Sequence, residues 1–402
     1  MPHPRLPARA ERSQPHCSAC RHPPAHRPRH HPSRPVTQPF ASLYVHVPFC
    51  AVRCDYCAFY TLAGGSDIQR ERYLQRVDAE FAEFAPQAVP LDAIFVGGGT
   101  PTHLTVSELQ RFLRQIHTHF TLAADCEFTM EGNPLSLTPD RLKIMQDHGV
   151  NRISLGVESL NDRTRKALGR PGAAKLVRKA VERIRSANFA HMNCDLIYGA
   201  QDQTLAEWAA DVAAVAEFAP DHVSMYALSI EPFTPLADRG AEAADDDRMA
   251  DFWTHGVEAL AAIDLQLYEI SNLALPGAEC RHNVDIWRGG SFAGAGPSAC
   301  WFDGETRWRN LPDLARWLAA EHPEADTIST RDRAHEILCT GLRLVGGWER
   351  DAFHQRTGFT VAELLPDSAS ALVDHGLLEL SHTHIAIPAQ KLLLHQGICR
   401  EL

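Results

Sequence analysis

Three cysteines stand close together directly after an apolar run. Cys50, Cys54 and Cys57 have the spacing Cys-x3-Cys-x2-Cys, and the run before them ends at Val47. Three thiolates in one loop can hold three irons of a [4Fe–4S] cluster and leave the fourth iron open to a small molecule. A structural zinc ion would favour a fourth Cys or His nearby, and position 59, where one could stand, is Phe59. The spacing therefore favours an iron–sulfur cluster over zinc and over three incidental cysteines.

Glycines and charged residues that could bind a ligand follow other apolar runs. The segment Gly97–Pro101 reads Gly-Gly-Gly-Thr-Pro, and glycines let backbone groups approach a ligand closely, although a tight turn is the simpler explanation of a glycine run alone. Glu131 closes a run and Asp195 lies in another, and carboxylates accept hydrogen bonds from ammonium groups or ribose hydroxyls. Arg170 can pair with a carboxylate. Any one of these could be a surface salt bridge or helix cap, but as a set they favour a ligand site.

These residues need a scaffold that brings the ends of the runs together. Short apolar runs alternate with segments of helical periodicity, and this pattern predicts a parallel sheet covered by helices on both faces. Six or seven such units predict an α/β fold with a partial or complete (β/α) barrel, in which ligand-binding residues lie at the carboxyl ends of the strands. The predicted strands are Leu43–Val47, Ala93–Val96, Glu127–Met130, Arg152–Val157, Asn193–Tyr198, His222–Ser229 and, less clearly, Leu265–Ile270.

Residues 1–40 differ from the rest of the chain. They contain seven Arg, no Lys and one acid, Glu11, which gives +6 and leaves −17 for the remainder, because the whole chain carries −11. Ten Pro and six His with few apolar residues predict a disordered tail. Cys17 and Cys20 could be half of a zinc site, but no second pair with zinc-finger spacing accompanies them.

Charge and hydropathy limit the possible partners. The acidic body argues against nucleic acid as a partner, because phosphate contacts need clustered Lys and Arg. No apolar run is long enough for a membrane span, and the start of the chain lacks the apolar core of a signal peptide. We therefore expect no integral membrane span and a cytoplasmic protein.

The carboxyl-terminal part predicts a second, smaller unit. Helical segments at Ala334–Leu344 and Val361–Asp374 precede two alternating strands, Leu377–Leu380 and His384–Ile387, and a short helix. This order predicts a small winged-helix-like α+β domain over 331–402 that serves packing or partner docking. The predicted organisation is a tail at 1–40, a barrel at 41–270, a linking segment at 271–330 and this domain.

The cysteine loop resembles the signature of the radical S-adenosylmethionine (SAM) superfamily, and later motifs extend the resemblance in order. Glu131–Pro134, Gly156–Leu160, Leu168–Arg170 and Asn193–Gly199 resemble the branch that contains oxygen-independent coproporphyrinogen III oxidase and the haem chaperone HemW. The resemblance implies a radical SAM barrel with Cys50, Cys54 and Cys57 on the cluster. It implies SAM contacts for Tyr44, Tyr56, Gly98, Gly99, Thr100, Glu131, Glu158, Arg170, Asp195 and Ala227. Glu158 departs from the Gln usual there, which adds a charge and removes an amide donor.

A second resemblance concerns the segment from Cys280 to Trp287. Its His282-Asn283 pair and Trp287 resemble a motif of the haem chaperone branch, although Ile286 replaces the usual Tyr. The resemblance implies that His282 contacts haem, and neutral imidazole is a common axial ligand of haem iron. The alternative is a hydrogen-bonded structural histidine.

The resemblance leaves two functions open. In the first, the protein binds haem as cargo and delivers it to acceptor haem proteins, with the cluster and SAM in a structural or regulatory part. In the second, it is an enzyme: an electron donor reduces the cluster, and SAM serves the oxidative decarboxylation of coproporphyrinogen III. Phe59 and the His282 segment favour the chaperone, because the oxidase branch carries a further Cys at position 59.

Overall fold

The computed structural model describes residues 38–402, so Cys17, Cys20 and nearly all of the predicted tail lie outside the described residues. The central feature is a sheet in which six parallel strands, β1 to β6, lie side by side in chain order. These strands are β1 Phe40–Val47, β2 Ala88–Gly98, β3 Leu122–Gly132, β4 Arg152–Glu158, β5 His191–Tyr198 and β6 His222–Ala227. Their carboxyl ends meet at one edge, as the sequence predicts.

Three further strands extend this sheet without closing it. A short parallel strand, β9, pairs with β1, while β8 pairs antiparallel with β6 and β7 pairs antiparallel with β8. Their bounds are β7 Gln266–Glu269, β8 Asn272–Ala274 and β9 Ala293–Ala295. Because β9 and β7 do not pair with each other, the barrel is partial. The strand expected at Leu265–Ile270 is present as β7, but it pairs antiparallel with β8 and not in parallel with β6.

Helices cover the outer face of the parallel strands. The helices that begin at Asp67, Val106 and Leu205 each have a capping box. The Ser or Thr before the helix accepts from the backbone N–H three residues later, and the Gln or Glu at that position accepts from the backbone N–H of the cap, which supports the expected strand–helix alternation. The helices are α1 Asp67–Phe84, α2 Val106–His119, α3 Pro139–Asp147, α4 Asp162–Ala167, α5 Ala174–Ala187, α6 Leu205–Ala216, α7 Pro235–Asp238, α8 Asp246–Ala261, α9 Arg281–Trp287, α10 Leu314–Leu318, α11 Thr330–Gly341, α12 Arg350–Thr357, α13 Val361–Leu364, α14 Ala369–Asp374 and α15 His395–Glu401. Short 3-10 turns lie at Ala85–Gln87, Pro101–His103 and Ala389–Leu394. No helix of the described chain is long and apolar enough to cross a membrane.

Successive residues of each strand point to opposite faces of the sheet. In β3, Phe128 and Met130 are fully buried in the apolar core, whereas Thr129 and Glu131 point to the other face. The same alternation in β5 places Cys194 and Leu196 in the core and Asp195 on the inner face. The inner face of the barrel is therefore polar, and its last positions lie at the carboxyl ends of the strands.

The carboxyl-terminal part contains helices and a small antiparallel sheet, as expected. Trp348–Glu349 (β13) pairs with His384–Ala386 (β15), which also pairs with Glu379–Leu380 (β14). The two later strands were expected from the sequence, and Trp348–Glu349 was not. Three other strands, Cys300–Phe302 (β10), Arg307–Arg309 (β11) and Glu324–Asp326 (β12), form a separate antiparallel sheet.

Candidate functional site

The cysteine loop lies at the carboxyl end of β1 and faces a cavity of about 510 Å³. A two-residue strand, Phe49–Cys50, pairs in parallel with Leu62–Ala63 and holds the two ends of the loop together. The Arg53 guanidinium donates to the carbonyl oxygen of Cys57 at 2.9 and 3.2 Å, which closes the loop internally. The three cysteines all line the cavity, and its volume is within the range of small-molecule sites.

The three thiols line one cavity. Within residues 38–402, no group of three His, Cys, Asp or Glu side chains is arranged to hold a single metal ion. In a [4Fe–4S] cluster each thiolate binds a separate iron, so three thiols that line one cavity could be its ligands. Burial raises the pKa of Cys50 to about 11 and also raises the pKa of Cys57, so both thiols hold their protons until a cation displaces them.

The glycine segment lies against this loop and cannot carry side chains there. Gly98 has φ +103°, and a Cβ on it would lie 2.6 Å from the His46 ring. A Cβ on Gly99 would lie 2.8 Å from the Pro48 backbone. The Gly98 N–H donates to the Glu131 carboxylate at 3.1 Å, and the Thr100 hydroxyl lies 3.5 Å from the Cys50 sulfur. The segment therefore connects the cysteine loop to the next strand ends.

Three carboxylates share the cavity wall with the Arg170 guanidinium. Glu131, Glu158 and Asp195 line the cavity, and the Arg170 guanidinium lies 3.3 Å from a Glu158 oxygen. Burial, together with Asp195, raises the pKa of Glu131 to about 8. Burial also raises the pKa of Glu158 and that of Asp195. Because a nearby positive charge favours the ionised form of a carboxylate, a positively charged ligand at this wall would lower these pKa values.

Arg170 connects the carboxylates to the cysteine loop. Its guanidinium donates to the Gly156 carbonyl at 2.7 Å and to the Cys54 sulfur at 3.4 Å. Its Nε is buried and has no hydrogen-bond partner within the described chain, so a donor is available at this wall. Glu158 adopts φ +64°, a left-handed conformation that turns the end of β4 beside Arg170.

Residues that the sequence analysis missed hold Asp195 in place. Its carboxylate accepts hydrogen bonds from the Ser154 hydroxyl at 2.9 Å and from the Asn193 amide at 2.8 Å. Both residues occupy alternate positions along β4 and β5, so the two-residue period of the strands could have identified them. Ser154 lines the cavity together with Tyr226, which was also not predicted.

The remaining sequence-predicted SAM contacts divide into two groups. Tyr56 and Ala227 line the cavity, and the Tyr56 hydroxyl is hydrogen-bonded to Glu158. Tyr44 is not among the described residues that line the cavity. It lies in the middle of β1. His46 Nε2 donates to the Tyr60 carbonyl, so Nδ1 of the neutral ring carries no hydrogen and accepts from the Tyr44 hydroxyl at 3.0 Å.

His282 lies outside the cavity, on α9. Its side chain is buried, and its Nδ1 lies 2.7 Å from the Ser42 hydroxyl of β1. The imidazole stacks on Tyr44 and Phe95 at ring distances of 6.1 and 5.5 Å, and Phe292 meets it edge-on at 5.9 Å. Burial lowers the pKa of His282 to about 4, so the imidazole is neutral at pH 7.

Taken together, the cavity residues fit a [4Fe–4S] cluster with SAM beside it. Three thiols face one space, the neighbouring wall carries three carboxylates, and a buried guanidinium N–H has no acceptor within residues 38–402. SAM carries a positively charged sulfonium, and its ribose oxygens would supply acceptors for the guanidinium.

Comparisons with known proteins agree with this arrangement. The radical SAM superfamily model matches residues 44–214, and the HemN C-terminal domain model matches residues 328–394. The heme chaperone HemW of Escherichia coli is 32% identical, with 86% of this chain and 93% of the relative covered. That of Mycobacterium tuberculosis is 35% identical, with 91% and 95% covered. The solved structure of coproporphyrinogen III oxidase (HemN) from E. coli matches with a TM-score of 0.79 over 92% of this chain and 91% of that one, at 22% identity, which shows a shared fold.

Proposed function

Because this chain belongs to the heme chaperone HemW family, we propose that it binds haem and delivers it to acceptor haem proteins, with a [4Fe–4S] cluster and SAM in the barrel cavity. The observation that carries the proposal is one cavity lined by three thiols and three carboxylates. Relatives with the name heme chaperone HemW align over most of their length. The HemN likeness supports the fold only.

The cluster ligands in this proposal are Cys50, Cys54 and Cys57. When bound, a [4Fe–4S] cluster with SAM supplies one-electron chemistry, for which a separate electron donor is needed. The Arg170 N–H group on the Cys54 sulfur stabilises negative charge on that thiolate. Arg53 holds the loop so that the three thiols keep their relative positions.

The proposed SAM contacts are those that the resemblance to the radical SAM superfamily implies. The Gly98–Thr100 backbone and Glu131 receive the amino-acid end, and Glu158, Arg170 and Asp195 face the sugar, with Tyr56 and Ala227 beside them. Asp195 can accept from ribose hydroxyls because Ser154 and Asn193 fix its carboxylate. Glu158 can still accept a hydrogen bond from SAM, as the usual Gln would, and Arg170 balances the negative charge that Glu158 adds. Tyr44 does not line the cavity, and its connection to the proposed SAM site is through His46, which lies against Gly98.

The proposed haem ligand is His282, whose side chain must become accessible before haem can bind. The imidazole is neutral, which is the form that binds iron, but three aromatic rings and Ser42 cover it. Haem can reach it only if α9 moves away from β1 and β2.

Parallel assays of one preparation test this function. Reduced, cluster-loaded protein is incubated with SAM and coproporphyrinogen III, and a second sample is titrated with haem and then mixed with an apo-globin. We expect haem binding, transfer of the Soret band to the globin and no release of carbon dioxide. Cys54→Ala serves as the control that lacks the cluster. Carbon dioxide release with stoichiometric consumption of SAM would replace the chaperone proposal with the oxidase.

A further inference from the structure

A cluster of two cysteines and two histidines lies far from the cavity, between α11 and α15. His335 and Cys339 are four residues apart on α11, and His395 and Cys399 are four residues apart on α15. Side chains at this spacing share one face of a helix. All four residues are half-buried, so small solutes can reach them.

The two cysteines are neighbours. The Cys399 sulfur lies 3.9 Å from the Cys339 carbonyl oxygen, and the two thiols are close enough to shift each other's pKa. Both are free thiols in the structure. The four side chains are not arranged to hold a metal ion, in line with the rest of residues 38–402.

His395 polarises one of these thiols. Its Nε2 lies 2.7 Å from the Cys339 carbonyl oxygen, and since a carbonyl only accepts, Nε2 carries the hydrogen. The same Nε2 lies 3.4 Å from the Cys399 sulfur, which therefore accepts from it. Hydrogen bonds from Cys339 and His395 lower the pKa of Cys399 to about 5, whereas the shared bond raises the pKa of Cys339. The direction of these two pKa shifts favours Cys399 over Cys339 as the thiol that loses its proton first.

We propose that Cys339 and Cys399 form a peroxide-reactive dithiol site, with Cys399 as the attacking thiolate and Cys339 as the resolving thiol. The Cys399 sulfur attacks hydrogen peroxide, an S–O bond forms, the O–O bond breaks, and the departing hydroxide takes up a proton to become water. Cys339 then attacks the sulfenic sulfur, an S–S bond forms, the S–O bond breaks, and the second hydroxide leaves as water with the Cys339 proton. The two thiols lose two electrons and the peroxide gains them. The disulfide joins α15 to α11.

Mass spectrometry of the full chain tests the site. Trypsin cleavage yields residues 334–343 and 392–400 as peptides with one cysteine each, so a linked pair identifies the bond without ambiguity. After brief treatment of the cluster-loaded protein with hydrogen peroxide, we expect this linked pair. Before treatment, iodoacetamide should alkylate Cys399 about tenfold faster than the half-buried Cys300, because its thiolate fraction is larger.

Single variants separate the two roles. In Cys339→Ser, Cys399 should accumulate as a sulfenic acid that dimedone traps, whereas in Cys399→Ser, Cys339 should stay unmodified. His395→Ala should slow alkylation of Cys399 about tenfold, and His395→Gln, which keeps an N–H donor, should restore part of it. Absence of the linked peptides, or the opposite pattern of dimedone labelling, overturns the proposal. So does one equivalent of zinc in the purified protein that is lost in Cys399→Ser.

Discussion

The Arg170 guanidinium donates to the Cys54 sulfur across 3.4 Å, although the two residues are 116 positions apart. The same guanidinium lies 3.3 Å from the Glu158 carboxylate, so one side chain contacts both the cysteine loop and the carboxylate wall. Both partners are almost fully buried. Arg170 therefore holds together the two halves of the candidate site.

Removal of Arg170 should leave a buried charge without its partner. We expect Arg170→Met to lower the free energy of unfolding by about 3–5 kcal/mol, because Glu158 stays buried and unpaired. Adding Glu158→Gln should recover part of the loss, since the charge is then removed as well. Urea denaturation of the two variants measures both effects. Equal stability of wild type and Arg170→Met would show that this ion pair does not matter for folding.

Each cysteine of the loop should be needed for the cluster. Cys50→Ala, Cys54→Ala and Cys57→Ala should each lose the brown colour and the bound iron after reconstitution, since a thiolate ligand is missing. Cys300→Ala, another cysteine that is free in the structure, is the matched control and should keep both. The assignment is wrong if Cys54→Ala keeps its iron and a Cys17→Ala, Cys20→Ala double variant loses it.

Asp195 should contribute strongly to SAM binding. A lost charged partner at a buried site costs about 2–5 kcal/mol, so Asp195→Ala should weaken SAM binding more than tenfold. Titration calorimetry on the cluster-loaded protein measures the affinity. Glu182→Ala, which removes an exposed carboxylate on α5, should have no effect. An unchanged affinity in Asp195→Ala would contradict the proposed contact map.

Glu131 should make the cofactor-free protein less stable as the pH rises. Its pKa is about 8 in the folded protein and ordinary when unfolded, so between about pH 4.5 and 8 the folded state binds more protons. The free energy of unfolding should therefore fall by up to about 1.4 kcal/mol per pH unit in this window. Glu131→Gln should reduce the slope, and the exposed Glu71→Gln should not. Thermal denaturation from pH 5 to 8 gives the comparison, and an unchanged slope in Glu131→Gln would refute the assignment.

Ser42 should oppose haem binding if His282 is the ligand. The Ser42–His282 hydrogen bond must break before the imidazole reaches iron, and such a bond contributes about 0.5–1.5 kcal/mol. Ser42→Ala should therefore tighten haem binding about two- to tenfold, and Ser186→Ala, an exposed serine, should not. His282→Ala should weaken binding and shift the Soret band. If His282→Ala keeps the same spectrum and affinity, the haem ligand lies elsewhere.

The sequence by itself determined the features that depend on local spacing. Strand and helix alternation predicted the parallel sheet, and Cys50, Cys54 and Cys57 were predicted to share one loop because only seven positions separate the outer two. Gly98 and Glu131 each follow or close an apolar run, and they were predicted to come together because the carboxyl ends of parallel strands lie at a common edge. In the structure both line the cavity with the three cysteines.

Only the tertiary structure decided which distant residues meet. Ser42 and His282 are 240 positions apart, and no local pattern predicts that α9 packs against β1 and buries the imidazole. The same applies to Cys339 and Cys399, whose helices come together only when the carboxyl-terminal part folds. Spacing along the chain determines which residues share a strand, a helix face or a loop, whereas contacts between separate elements depend on how the whole set of apolar faces packs.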